Sequence, residues 1–182
     1  GRPLALSGNW QAAQVVMDKN QEMIEASNAD ILVTSCPICY KTFKEDYTLK
    51  AKVMHHTEYI EMLLRDGQLK VNNMDLKTVF HNPCELGRGS RIVSAPENVL
   101  NQVSYKITTV YDGKKSLCCG GSLANTAIDS KQKTKISGDT VKAYAAYHPD
   151  VIVTACPLCK KTLSKTSTEI PVRDIAELVA EA

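Results

Sequence analysis

Residues 30–42, DILVTSCPICYKT, and residues 150–162, DVIVTACPLCKKT, are one segment written twice. Eight of the 13 positions are identical at a constant offset of 120, and most of the differences are conservative, as at Ile31 and Val151. Self-similarity at a fixed spacing means that the chain is built from copies of one structural unit, which limits the fold before any element is assigned. The match extends beyond the motif. A polar stretch, a short apolar piece and an amphipathic helix follow each copy, and Thr57-Glu58-Tyr59-Ile60-Glu61 answers Arg173-Asp174-Ile175-Ala176-Glu177. Upstream, Gly1 lies 35 residues before Cys36 and Gly120 lies 36 before Cys156. Gly1 therefore falls, within one residue, where the second copy has just passed Cys118-Cys119. The expectation is a C-terminal piece of a longer protein, with residues 1–75 as the C-terminal half of a first repeat and residues 76–182 as a complete second one.

The periodicity predicts alternating elements. A helix covers residues 12–29, with Ala13, Val16, Met17, Asn20, Met23 and Ile24 on one stripe. Ile31–Thr34 reads as a buried parallel strand and Lys52–His55 as another, followed by a helix over Glu58–Arg65 that stops near Gly67. Further strands are predicted at Thr78–His81, Ile107–Tyr111, Val151–Thr154 and Ile170–Val172. Further helices are predicted at Pro96–Val103, around Val141, Tyr144, Ala145 and His148, at Pro157–Ser164, and along Ile175, Leu178, Val179 and Ala182. Strand–helix alternation implies an α/β fold of parallel, Rossmann-like sheets flanked by helices and built as two pseudo-repeats, the first incomplete. Ligands of such sheets sit at the carboxyl ends of the strands. The cysteines follow that rule: Cys84 comes after one predicted strand, Cys118-Cys119 after another, and Cys156 and Cys159 after a third. Trp10 and the Met17/Met23 stripe read as core packing, and Lys131–Lys135 as a solvated helix face.

Composition narrows the function. Lysine plus arginine minus aspartate plus glutamate is 22 − 20 = +2, with the signs scattered, which argues against a nucleic-acid surface. No apolar run approaches the roughly 18 residues of a membrane span, and the start lacks the basic and apolar pattern of a signal peptide. A cytoplasmic setting is expected, membrane-peripheral at most through partners. Seven cysteines are an odd number and too dilute for a small disulfide scaffold. Their grouping as CxxC, C, CC and CxxC points to metal or redox chemistry.

Three chemistries fit in part. Strand, Cys-Pro-Leu-Cys, helix is the order of a dithiol redox centre, in which a helix N-terminus lowers the first thiol's pKa. That accounts for neither Cys84 nor the CC pair. Structural zinc takes two CxxC pairs about 15–20 residues apart, whereas Cys39 and Cys156 are separated by 116 residues. Adjacent cysteines such as Cys118 and Cys119 also diverge too much to close one tetrahedron. An iron–sulfur cluster offers separate iron corners, and glycines beside the cysteines (Gly87, Gly89, Gly120 and Gly121) let backbone N–H groups approach sulfur and tune the potential.

Cys84, 33 residues, Cys118-Cys119-Gly120, 35 residues, then Cys156-Pro157-Leu158-Cys159 resembles the CCG cysteine-rich domain. That domain usually occurs twice per protein, in heterodisulfide reductase B and D subunits and in the iron–sulfur subunits of glycolate oxidase, lactate utilisation and anaerobic glycerol-3-phosphate dehydrogenase. The resemblance implies that Cys84, Cys118, Cys119, Cys156 and Cys159 hold a four-iron cluster, non-cubane in the heterodisulfide reductase relatives. It also implies an electron-transfer module of an oxidoreductase, with the upstream portion of the same protein and a flavoprotein or other electron-transfer subunit as partners. His81-Asn82-Pro83-Cys84 with Gly87-Arg88 looks like the family's first-cysteine loop. Only Cys36 and Cys39 remain of the first repeat's set, as free thiols, a disulfide or ligands of an adventitious metal. A cluster is readily lost in air, so an isolated fragment can lack it; zinc remains the alternative metal.

Around this set, His81 is a candidate hydrogen-bond donor to a cluster sulfur, with a purely structural role the alternative. Arg88 reads either as an anion-binding or charge-balancing group or as a solvated arginine. Glu85 reads as a helix N-terminal charge, and His148 as the end of a helix. His55 and His56 could join Cys36 and Cys39 on a metal, although core roles are the commoner outcome for such residues.

Overall fold

Strands separated by helical segments can pair side by side only through crossovers, which makes the pairing parallel. The computed structural model describes residues 1–121 and 127–182. A two-stranded sheet joins β1 (Ile31–Thr34) to β2 (Lys52–His55). A four-stranded sheet has the order β4 (Tyr105–Lys106), β3 (Lys77–His81), β5 (Val151–Thr154), β6 (Val172–Asp174). Every pairing is parallel. The helices are α1 (Arg2–Leu6), α2 (Trp10–Ala26), α3 (Pro37–Glu45), α4 (His56–Arg65), α5 (Ser94–Val103), α6 (Ser130–Ala145), α7 (Pro157–Ser164) and α8 (Ile175–Glu181), with a π-helical turn at Glu85–Gly89.

The larger sheet is covered on both faces, as a parallel sheet requires. Alternate residues divide between them. Phe80, Val151 and Val153 pack with Val99, Leu100 and Val103 of α5 and with Ile175 and Leu178 of α8. Val79, Ile152 and Val172 pack with Val141 and Tyr144 of α6 and Leu163 of α7, and Cys119, Cys156 and Cys159 belong to this second layer. In register, His81 lies opposite Thr154, and Thr154 opposite Asp174. The strand ends are therefore level, and the loops that follow them emerge along one edge.

The repeat is visible as β1-α3-β2-α4 against β5-α7-β6-α8. Its register after the cysteines differs from the sequence alignment. The Glu58 carboxylate accepts from the His55 N–H at 3.0 Å, and the Glu177 carboxylate from the Asp174 N–H at 2.7 Å. These equivalent capping interactions align His55 with Asp174 and Glu58 with Glu177, an offset of 174 − 55 = 119. Glu58 therefore does not answer Asp174; one residue is lost between α7 and β6. The two units meet at these helix starts. His56 Nε2 lies 3.3 Å from Asp174 Oδ1, and α4 packs on α5 and α8.

Four further expectations are corrected. Ile107–Tyr111 is not a strand: Ile107 N–H still reaches the Thr78 carbonyl at 2.7 Å, but Thr109 Oγ1 then accepts from Tyr111 N–H and donates to Asp112, pulling the chain into a turn. The last strand starts at Val172 rather than Ile170, because Pro171 has no N–H for the ladder. The α6 helix ends at Ala145, and His148 sits beyond it at a φ of 51°. The smaller sheet shelters little. Val33 of β1 is 40% exposed, and Trp10 and Met23 of α2 are 69% and 64% exposed, not core. Two strands give α2 too little surface, and only its Ala13 is buried.

Leu100→Ala, in the covered layer, should cost about 2–5 kcal/mol of unfolding free energy. Trp10→Gln should stay within about 0.5 kcal/mol. Denaturant titration of both variants checks the difference.

Candidate metal centre

Each cysteine is placed by a local device. After β3 the chain runs His81-Asn82-Pro83 into Cys84, which precedes the π-helical turn. The Pro83 carbonyl accepts from Leu86 N–H at 3.0 Å and from Gly87 N–H at 2.9 Å. Gly87 thus spends its N–H on backbone, and its missing side chain makes room for the buried Asn82 amide, which a Cβ would meet at 2.6 Å. Arg88 is exposed but anchored. It donates to the Ser116 carbonyl at 2.7 Å and the Ser116 hydroxyl at 3.2 Å, tying the π-helical turn to the segment that leads into Cys118.

The CC pair is held from α6, where the Thr140 hydroxyl donates to the Cys118 carbonyl at 2.8 Å. Gly120 has a φ of 79°, and a Cβ there would meet the Lys133 carbonyl at 2.5 Å, so only glycine fits. The N–H groups of Gly120 and Gly121 each lie 3.4 Å from a sulfur, those of Cys118 and Cys119 respectively. Cys156 and Cys36 occupy the N-cap positions of α7 and α3, each followed by a proline, and Cys39 N–H reaches Cys36 Sγ at 3.4 Å.

Cys84, Cys118, Cys119, Cys159 and Cys156, from three loops, line one cavity, and each thiol is coupled to the next in that series. Proton sharing along the series splits the thiols. Hydrogen bonds from Cys119 and Cys84 hold Cys118 well below the ordinary thiol range, and the bond from Cys159 lowers Cys156. Donation to Cys118 raises Cys84 well above the ordinary thiol range and raises Cys119 to about 11; donation to Cys119 and Cys156 raises Cys159. In the other CxxC, the Cys39 thiol lowers Cys36 to about 6.

All seven cysteines line one cavity of about 290 Å³, with Ile38, Phe43 and Leu158 among its apolar walls. The repeat did not reveal this convergence, because the relative placement of two sheets is encoded in neither copy. The His pair is engaged elsewhere: His55 Nδ1 meets Thr57 Oγ1 at 2.8 Å, His56 meets Asp174, and burial lowers His55 to about 3. His81 is fully buried, and burial lowers it to about 4. One of its ring nitrogens lies within 4.8 Å of the sulfurs of Cys119 and Cys159. Its Nδ1 is 3.2 Å from the Tyr144 hydroxyl. Tyr144 was legible in the sequence only as an apolar stripe position, since nothing in helical spacing says where a hydroxyl ends.

The cysteine-rich domain model of the CCG family matches residues 1–44 and 78–164. The chain belongs to the CCG cysteine-rich family. Its relatives include the D subunit of the dihydromethanophenazine:CoB–CoM heterodisulfide reductase of Methanosarcina acetivorans, 28% identical over 93% of this chain and 45% of that one. An iron–sulfur protein of Methanocaldococcus jannaschii is 25% identical over 100% of this chain and 38% of that one. The EtfAB:quinone oxidoreductase of Syntrophomonas wolfei is 27% identical over 96% of this chain and 27% of that one. The chain therefore spans less than half the length of these relatives. No helix among the described residues is long and apolar enough to cross a membrane.

The thiol series makes a prediction about metal loading. Proton sharing raises Cys84, Cys119 and Cys159 and lowers Cys118 and Cys156, and a thiophilic ion bound by such thiols displaces protons. In the Cys36→Ser/Cys39→Ser background, Co²⁺ affinity should therefore rise with pH. Competition against a chelator, followed by the thiolate–cobalt absorption, measures it; a pH-independent affinity would contradict binding by these thiols.

Proposed function

We propose that this chain is the cluster-holding, electron-transfer module of an oxidoreductase, with Cys84, Cys118, Cys119, Cys156 and Cys159 as the ligands of one four-iron iron–sulfur cluster. The observation that carries this reading is the convergence of these five cysteines, from three loops, on one cavity, with the adjacent pair Cys118-Cys119 among them. Neighbouring cysteines diverge, and separate iron atoms can take them where a single tetrahedral ion cannot.

The surroundings fit such a group. The donor set is soft thiolate. Glycine N–H groups approach two of the sulfurs. At Gly121 a side chain would collide with Thr162 and press to 3.4 Å on Cys119 Sγ. His81 Nε2 is buried without a partner beside two of the thiols. When bound, the cluster supplies one-electron redox chemistry at a potential set by these donors and by burial. The chain's own residues hold the ligands in place: Arg88 and Thr140 fix the loop carrying Cys118-Cys119, and the apolar walls limit water.

In this reading residues 76–182 are a complete unit and residues 1–75 the C-terminal half of another. The upstream portion of the same protein supplies the remainder, against the open edge of β1 and the exposed side of α2. A flavoprotein or another electron-transfer subunit exchanges electrons with the site, on the cytoplasmic side. The substrate belongs to the class served by the relatives' assemblies, among them the heterodisulfide named for the Methanosarcina protein.

One observation favours a second reading. His81, Cys119 and Cys159 converge as three ligands of the kind zinc takes. That site would leave Cys84 and Cys118 without a role.

Anaerobic reconstitution with iron and sulfide, followed by metal analysis and electron paramagnetic resonance, separates the two. The cluster reading expects about four irons per chain, lost in Cys84→Ser and Cys119→Ser and kept in Cys36→Ser/Cys39→Ser. Stoichiometric zinc with no iron uptake, and Cys84→Ser without effect, would establish the second reading instead.

A further inference from the structure

The surroundings of His81 favour one position for its proton. His81 ends β3, is fully buried, and faces the layer that contains Tyr144, Cys119 and Cys159. Its Nδ1 lies 3.2 Å from the Tyr144 hydroxyl, whose ring meets the imidazole edge-on with centroids 5.8 Å apart. Tyr144 is itself fully buried.

A phenol has one proton to give. Nδ1 takes that proton when His81 presents its own N–H to the sulfurs of the site, the arrangement in which both ring nitrogens find partners. A neutral imidazole that accepts at Nδ1 carries its own hydrogen on Nε2. Nε2 is buried and has no partner among the described residues. The nearby acceptors are the sulfurs of Cys119 and Cys159, within 4.8 Å of a ring nitrogen of His81. The opposite tautomer would aim a lone pair at sulfur that becomes anionic on ligation.

We infer that Tyr144 and His81 form a tuning pair for the cysteine site: Tyr144 is a positioning residue that locks the Nε2–H tautomer of His81, and that N–H donates to the sulfur of Cys119 or Cys159. The inference rests on the cluster reading above and assigns two of this chain's residues to the control of that cluster's potential. A donor to a ligand sulfur withdraws electron density from the site and favours its reduced state. The same pair connects β3 to α6, the helix whose Thr140 holds the Cys118 carbonyl.

Two measurements test it. The first needs no cluster: proton–nitrogen correlation spectra of the reduced apo chain, labelled with ¹⁵N in histidine, report the tautomer of each ring. His81 is expected as Nε2–H, and Tyr144→Phe should mix the tautomers. A wild-type Nδ1–H tautomer overturns the pairing, whatever metal the protein binds. The second is the midpoint potential of the reconstituted protein at fixed pH. His81→Ala and Tyr144→Phe should lower it, with a change of about tenfold in the reduction equilibrium for His81→Ala, from the loss of one hydrogen bond to a charged acceptor. His81→Gln, which keeps an N–H donor at that distance along the side chain, should restore most of it. Unchanged potentials in both variants with intact clusters, or glutamine no better than alanine, would sink the tuning role. Absence of iron uptake by the wild-type chain defeats the cluster reading itself, and with it the tuning of a potential, while the apo spectra still decide the tautomer.

Discussion

The parallel register of β3 against β5 is the constraint on which the site depends. With His81 opposite Thr154, the loops bearing Cys84 and Cys156 leave the sheet side by side. A slip of one residue would turn His81 from the α6 layer to the α5 layer and separate the thiols of Cys84 and Cys118. The two faces of the sheet then divide the work. The layer of Phe80, Val153, Leu100 and Leu178 is largely apolar and anchors the register. The opposite layer gives up three of its core positions to Cys119, Cys156 and Cys159.

Gathering five thiols in one half-buried place creates a charge problem. Five thiolates there would repel one another, and desolvation disfavours each of them. The protein answers with proton sharing, with two glycine N–H groups aimed at sulfur, and with a neutral imidazole rather than a cationic side chain. Lysine or arginine would neutralise more charge, but at the cost of burying a cation. Arg88, the cation closest in sequence to Cys84, is turned onto the Ser116 carbonyl instead. Its charge holds a loop and also disfavours protonation of His81.

Much of this was legible in the residues, for identifiable reasons. Strands β1, β2 and β5 and helix α7 are bounded by apolar β-branched runs and by proline after a cap, signals that act within a few residues. The five-cysteine spacing named the family because loop lengths fix which residues can meet. Failures arose where a distant partner decides. Thr109 and Asp112 dissolve a strand through side-chain bonds, and Pro171 delays another by lacking a donor. Trp10 and Met23 carry a core pattern on a helix whose sheet is too narrow to cover them. The pairing of His81 with Tyr144 spans 63 residues and two elements, and no local pattern contains it.

The two CxxC copies show how far a motif determines chemistry. Each places its first cysteine at a helix N-cap and follows it with proline, so local geometry is repeated. The surroundings are not. Cys156 and Cys159 are buried between α6 and a four-stranded sheet, while Cys36 is half-buried and Cys39 exposed on a two-stranded one. The Cys159 thiol has a second sulfur neighbour in Cys119, whereas Cys39 shares its proton with Cys36 alone. The second copy meets Cys84, Cys118 and Cys119 in the cavity wall, and in the first copy Cys39 holds the Cys36 thiol low. Among the described residues, what the second copy receives at its strand ends comes from the segment before it: β3 with Cys84, and the loop with Cys118-Cys119. A CxxC at a helix start is thus a half-site, and its identity as ligand set or redox pair is set by the chain that arrives before it.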